Sequence, residues 1–134
     1  MRKNSFRFLN KQINRTIKSA IAAASNDGRE ICGLLIYNGY FVQLVEVSNK
    51  IKCGGGFAFY APEIRRIQKA TNSLGNEIIG TFHSHPAYIN VPSESDIANT
   101  LDDSYMLIID VLDKKIGFWY IKDGKAKEVA YVAI

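Results

Sequence analysis

Residues 82–96 read FHSHPAYINVPSESD and contain both histidines of the 134-residue chain, His83 and His85. In a β-strand, residues i and i+2 project from the same face, so a strand ending here would aim both imidazoles from one edge of a sheet. Pro86 favours extended backbone at His85 and helps to end the strand there. The stretch therefore predicts a strand end that presents two imidazoles in parallel.

The end of the same stretch predicts the start of a helix. Ser93-Glu94-Ser95-Asp96 has the form of an N-capping box, with Ser93 as the cap and Asp96 at the third helical position. We expect a helix from Ser93 to about Asp102, whose first turn holds the Asp96 carboxylate near the two imidazoles. Two nitrogens and one oxygen suit zinc with the fourth position left to water, and open coordination is typical of catalysis.

A zinc site of this kind also needs a base and a group that stabilises negative charge. Zinc lowers the pKa of bound water to about 7, but a carboxylate must still take the proton. Glu30, at the mouth of the first predicted strand, is the candidate. Ser93 can serve twice, because a hydroxyl can accept from the helix backbone and donate its hydrogen to an oxyanion.

Each of these features has a structural alternative when it is taken alone. Two histidines on a strand end are often surface or satisfied structural residues, Ser-x-x-Asp is often only a helix cap, and a strand-end glutamate is often a solvated charge. Their combination at this spacing, in a stretch that contains both histidines of the chain, favours the metal site.

The remaining chain predicts a layered fold of helices on a sheet, in one domain spanning residues 1–134. Apolar residues at helical spacing predict a helix from about Phe8 to Asn26, ended by Gly28. A second helix should begin at Pro62 and end at Gly75. The stretches EICGLLIY and YFVQLVEV flank Asn-Gly and predict a hairpin, and further strands are expected for EIIGTFHSH, SYMLIIDVL, KIGFWYIK and KEVAYVAI.

The composition limits the classes of partner and compartment. The net charge is +4, and six basic residues precede position 20, which could attract a polyanion or an acidic protein but are also typical of a solvated helix face. Nucleic acid is not expected as a partner, since no interleaved basic and aromatic residues are present. Two cysteines and no long apolar stretch favour a cytoplasmic, soluble protein without a membrane partner. Gly54-Gly55-Gly56 lacks the residues of a phosphate-binding loop and predicts a flexible loop.

The chemistry-bearing residues resemble a known motif. Glu30 followed by ICGLL, then GTFHSHP, then PSESD, is similar to the JAMM (MPN-plus) metalloprotease motif of an upstream glutamate, His-x-His-Pro and Ser-x-x-Asp. Five functional positions match at the family's spacing, and the resemblance covers about residues 30–110. It implies an α/β fold, the JAB/MPN fold, in which a mixed β-sheet is flanked by helices as in cytidine deaminases.

The resemblance also implies a role for each matching residue. His83, His85 and Asp96 would bind one catalytic zinc ion, Glu30 would act as general base and proton shuttle, and Ser93 would steady the tetrahedral intermediate. The deaminase chemistry is not implied, because its ligand set includes cysteines that this motif does not supply.

The short chain looks like the compact prokaryotic JAB branch of the family. Members of that branch cleave after the C-terminal glycine of ubiquitin-like or sulfur-carrier proteins, often beside operon-encoded activating and conjugating enzymes and in some cases in antiviral operons. The resemblance thus implies a zinc-dependent peptidase or isopeptidase acting on an extended Gly-terminal tail. Two alternatives stay open: release of cysteine or another small amine from a sulfur-carrier tail, and a non-catalytic scaffold. Tyr88, Ile89 and Val91 are larger than expected in their loop and bear on substrate preference.

Overall fold

The computed structural model describes residues 5–52, 55–87 and 90–134, which form eight strands and three helices. In chain order the elements are β1 Phe6–Phe8, α1 Asn10–Asp27, β2 Cys32–Tyr37, β3 Val42–Val47, α2 Ala61–Ser73, β4 Glu77–His85, α3 Glu94–Ala98, β5 Ser104–Asp110, β6 Lys115–Lys122, β7 Lys125–Glu128 and β8 Tyr131–Ala133.

Six of the strands make one mixed sheet in the order β3-β2-β4-β5-β6-β7. The pairs are antiparallel except for β4 and β5, which run parallel. Strand β4 therefore lies inside the sheet with a hydrogen-bonded neighbour along each edge. The predicted α/β class, with a mixed sheet flanked by helices, is confirmed.

One face of the sheet is covered by α1 and the short strand β1. Ile13, Ile17 and Ala20 of α1 pack into the main core, as their helical spacing predicted. An aromatic cluster extends this core, with edge-to-face and stacked contacts among Phe6, Phe8, Tyr105 and Phe118. The core thus holds the helix on the face opposite to the histidines.

The alternation of β4 separates core side chains from site side chains. Phe82 and Ser84 are buried on the α1 side, whereas His83 lies in register with Ile108 of β5, whose side chain belongs to a second, smaller cluster. His85 lies on the same side as His83, two residues on. The pleat therefore delivers both imidazoles to the face bordered by α2 and α3.

Several element boundaries differ from the predictions. The first helix begins at Asn10, because Phe6–Phe8 forms β1, a strand that the sequence reasoning did not predict. The stretch KEVAYVAI is two strands, since the chain leaves the large sheet after β7 and β8 then pairs in parallel with β1. The helix after Ser93 ends at Ala98, where the Asn99 and Thr100 side chains bond to carbonyls four residues back and compete with the helical pattern.

The predicted hairpin and second helix form. In the hairpin, the Asn38 N–H donates to the Phe41 carbonyl at 3.2 Å and Gly39 takes a φ of 96°, so the turn centres one residue later than Asn38-Gly39. Cys32 is free and buried in β2, while Cys53 falls outside the described residues, as do Tyr88 and Ile89. Among the helices described, none combines the length and apolarity needed to cross a bilayer.

Candidate metal centre

Three predicted ligand side chains converge on one point. The Nε2 atoms of His83 and His85 are 3.1 Å apart, and the Asp96 carboxylate lies 3.2 Å from the first and 3.1 Å from the second. His83 is fully buried, His85 is 4% exposed, and Asp96 is half-buried. The three side chains reach bulk solvent mainly at Asp96, the least buried of them.

The spacing of these atoms fits a tetrahedral ion. Ligand distances of about 2.0–2.1 Å at tetrahedral angles place neighbouring ligand atoms roughly 3.3 Å apart, close to the separations found here. Burial raises the pKa of Asp96, but hydrogen bonds with His83 and His85 outweigh it and hold that pKa below its usual range. The carboxylate is therefore ionised, as a metal ligand must be. Two nitrogens and one oxygen suit zinc and leave a position for water.

The orientation of His83 depends on packing. Its Nδ1 atom is buried and has no hydrogen-bond partner among the described residues, whereas the second nitrogen of a metal-binding histidine is usually bonded. The Phe57 ring instead stacks on the imidazole, with centroids 4.8 Å apart and an angle of 26° between planes. We infer that this aromatic contact fixes the ring and keeps Nε2 aimed at the other two ligands.

The predicted capping box positions Asp96. The Ser93 N–H donates to Asp96 Oδ2 at 2.9 Å, and the Asp96 N–H donates to Ser93 Oγ at 3.1 Å. Because Ser93 Oγ accepts in this bond, its own hydrogen stays available to another acceptor. Ser93 is exposed, and it contacts the ligand group through Asp96.

Glu30 borders the same cavity as His83 and Asp96 without joining the cluster of ligand atoms. It lies two residues before β2 and is 7% exposed. One carboxylate oxygen, Oε2, accepts from the Gly56 N–H at 2.9 Å. The structure thus brings the three ligands together, with Ser93 attached to one of them and Glu30 at the cavity wall.

Two hydrogen bonds between Ile31 and Ser84 join the chain next to Glu30 to β4, the strand that carries the histidines. The Ile31 N–H donates to Ser84 Oγ at 2.9 Å, and the Ser84 N–H donates to the Ile31 carbonyl at 3.0 Å. Ser84 is fully buried between the two histidines. Glu30 is therefore held in register with the strand end that carries the imidazoles.

A groove of about 670 Å³ leads away from the site over β4. One wall is the segment of residues 56–59 together with Ile64 and Gln68 of α2, and the other is the chain from Asn99 to Ser104. Thr81 and Met106 form part of its floor.

Sequence reasoning missed four residues that support the site: Phe57, Ser84, Asn49 and Gly56. Ser84 has the only local signal, since it lies between the two histidines on the side that faces the core. Gly56 ends the glycine run that was predicted as a loop, Phe57 follows that run, and Asn49 precedes it. The contacts of these residues with Glu30 and His83 have no signature in local spacing.

Comparisons with known proteins agree with the fold. Residues 15–129 match the sequence profile of a family described as prokaryotic homologs of the JAB domain. The fold is similar to that of a protein from Desulfitobacterium hafniense, at 25% identity and a TM-score of 0.79, over 96% of this chain and 92% of that one. No curated protein matches the chain by sequence.

Two further solved structures share the fold at lower identity. A JAB1/MPN domain protein from Archaeoglobus fulgidus is 20% identical with a TM-score of 0.60, over 97% of this chain and all of that one. A protein from Salinibacter ruber is 15% identical with a TM-score of 0.63, over 96% and 92% of the two chains.

Proposed function

Because the chain belongs to the family of prokaryotic homologs of the JAB domain, we propose that it is a zinc-dependent peptidase or isopeptidase. Its substrate in this proposal is the bond after the C-terminal glycine of a ubiquitin-like protein. The observation that carries the proposal is the convergence of His83, His85 and Asp96 beside a cavity that Glu30 also borders. A reducing cytoplasm is the proposed location, in keeping with the free Cys32 thiol.

The residues around the ligand group divide the work of hydrolysis. When bound by His83, His85 and Asp96, zinc would acidify a water molecule and polarise the scissile carbonyl. Glu30 takes the proton from the attacking water at Oε1, while Gly56 holds the other oxygen. As the C–N bond breaks, Glu30 returns that proton to the leaving amine. Ser93 donates its hydroxyl hydrogen to the oxygen on which negative charge develops.

The substrate tail cannot pair with β4, because β2 and β5 occupy both edges of that strand. The wall of residues 56–59 offers another edge. Gly56 and Ala58 turn their backbone groups inward, to Glu30, Asn49 and Lys50. Because backbone groups alternate in direction along an extended segment, the proposal assigns those of Phe57 and Phe59 to the groove side. A glycine-rich tail could add there as a short strand.

Phe57 lines the groove beside the metal centre, and its ring stacks on His83. In this proposal the ring limits the room for a substrate side chain at the scissile bond. This restriction supports a glycine at the cleaved position. It also supports a flexible tail over a folded segment.

The test is cleavage of a ubiquitin-like protein that carries a C-terminal extension after Gly-Gly, by wild type, Glu30→Gln and Glu128→Gln. Glu128 is an exposed glutamate on β7 and controls for loss of one carboxylate. We expect wild type and Glu128→Gln to cut after the terminal glycine, and a zinc chelator to stop both. Glu30→Gln should bind zinc and lose turnover.

Other results of this test would favour one of the alternative functions. Full activity of Glu30→Gln would remove the proposed mechanism. A zinc-loaded protein that leaves the extension intact but releases cysteine or a small amine from a sulfur-carrier tail would change the substrate class. Protein that binds no stoichiometric zinc would instead support a scaffold.

A further inference from the structure

We propose that Asn49 is the positioning residue for Glu30, acting through Gly56. This inference rests on the proposed function, in which Glu30 is the base. Asn49 lies between β3 and α2, is 3% exposed and contacts none of the three metal-ligating side chains in the hydrogen bonds described. Neither the motif nor the ligand geometry assigns it a role.

The Asn49 side chain makes four hydrogen bonds. Its Nδ2 donates to the carbonyl of Glu30 at 2.9 Å and to the carbonyl of Gly56 at 3.2 Å. Its Oδ1 accepts from the N–H of Ile51 at 3.0 Å and of Ala58 at 3.1 Å. A single buried amide therefore ties the chain entering β2 to the groove wall.

These bonds form a closed path that ends on the carboxylate. Asn49 holds the Glu30 main chain and the Gly56 carbonyl, and the Gly56 N–H holds Glu30 Oε2. Both the backbone and the head of Glu30 are thus fixed relative to one side chain. Gly56 takes a φ of 89°, a conformation that favours glycine, so the third residue of the glycine run has a structural reason.

The alternative role for Asn49 is an ordinary turn. An Asx turn accounts for the bond from Ile51, two residues on, and that bond alone would make Asn49 a local structural residue. The other three bonds reach residues 7 to 19 positions away and converge on Glu30 and its partner segment. An amide is also required, because two bonds need a donor and two need an acceptor.

The distinguishing variant is Asn49→Asp. It keeps the acceptor for Ile51 and Ala58 but places a carboxylate oxygen against the carbonyls of Glu30 and Gly56. The two hydrogen bonds that Asn49 donates to those carbonyls are therefore lost. The matched control is Asn38→Asp, because in the hydrogen bonds among the described residues the Asn38 side chain uses only Oδ1, which accepts from Tyr40 and Phe41. Asn49→Ala is a second variant that adds no charge.

The first readout needs no substrate. In a ¹H–¹⁵N spectrum, Glu30→Gln should shift the Gly56 amide strongly, because the amide loses a charged acceptor. The same Glu30→Gln change is then made in each asparagine variant. We expect the shift that it causes in the Gly56 amide to fall by at least half when Asn49 is replaced by Asp or Ala, and to persist in Asn38→Asp. If Gly56 keeps its full response in both Asn49 variants while they stay folded, the inference is overturned.

The second readout is kinetic and uses the Gly-Gly-extended ubiquitin-like protein. Displacing a catalytic group by about 1 Å costs up to about 100-fold in rate, so kcat of the Asn49 variants should fall roughly 10- to 100-fold and by more than KM rises. Zinc content should match wild type. If kcat stays within about twofold of Asn38→Asp, the inference is overturned. If wild type itself cleaves nothing, the proposed function fails and the amide response alone decides the role of Asn49.

Discussion

Gly117 on β6 tests whether the segment before Ser93 positions Asp96. A Cβ atom at Gly117 would lie 2.3 Å from the Asn90 carbonyl oxygen and 2.8 Å from the Trp119 indole nitrogen. Trp119 Nε1 donates to that same carbonyl at 2.9 Å. Since a carbon and an oxygen need about 3.3 Å, Gly117→Ala must move Asn90 by roughly 1 Å and weaken this bond.

The displacement should reach the metal centre along the chain. Asn90 is three residues before Ser93, whose capping box holds Asp96. Loss of a group that supports metal ligands typically costs 10- to 100-fold in metal affinity, so we expect Gly117→Ala to bind zinc roughly tenfold more weakly. Overpacking should lower the free energy of unfolding by about 1–3 kcal/mol.

The assay is zinc titration followed by the fluorescence of Trp119, the only tryptophan of the chain. Gly75→Ala is the control: Gly75 has a φ of 73° and open space around its Cβ position, so alanine there adds about 1–2 kcal/mol of backbone strain without touching Asn90. The control should bind zinc normally. Wild-type zinc affinity and unchanged emission in Gly117→Ala would refute the reasoning.

Other perturbations test the remaining contacts. Ser84→Ala should lower the free energy of unfolding by about 1–3 kcal/mol in chemical denaturation, because the buried Ile31 N–H loses its acceptor. Phe57→Ala should weaken zinc binding in a competition assay, since stacking fixes His83, whereas Phe57→Tyr should not. Burial raises the pKa of Cys32 to about 12, so the folded protein should resist alkylation there at neutral pH. The stability that wild type has over Cys32→Ala should be lost as pH rises from about 9 towards 12. Chelation of zinc should lower the melting temperature, as expected for a ligand that binds only the folded state.

Local patterns predicted the parts of the fold that depend on local forces. The spacing of Ile13 and Ile17 predicted α1, and the capping box predicted the start of α3 at Ser93. Alternation along β4 placed His83 and His85 on one face because the side-chain period of a strand is two. The convergence of His83, His85 and Asp96 was also predictable, because all three lie within 14 residues of one another.

Long-range pairing was beyond these patterns. Phe6–Phe8 has too few residues to show a period and becomes a strand because β8 returns to pair with it. The path from Asn49 to Glu30 depends on a loop meeting a strand end 19 residues away, which no spacing rule describes. The adjacency of β4 and β5 was likewise not predictable from local patterns, and together with β2 it leaves β4 no open edge.

The short helix α3 contributes Asp96 to the metal centre, yet none of its side chains is buried. Partly buried Ile97 packs α3 against the smaller core cluster, so one of the three ligands is carried by a helix with a small share in the core. A single-base change that turns Asp96 into asparagine would be expected to weaken metal binding while sparing the sheet, the groove and the fold. The metal centre and the fold are therefore separable traits in this architecture, and a gene duplicate could keep the second after losing the first.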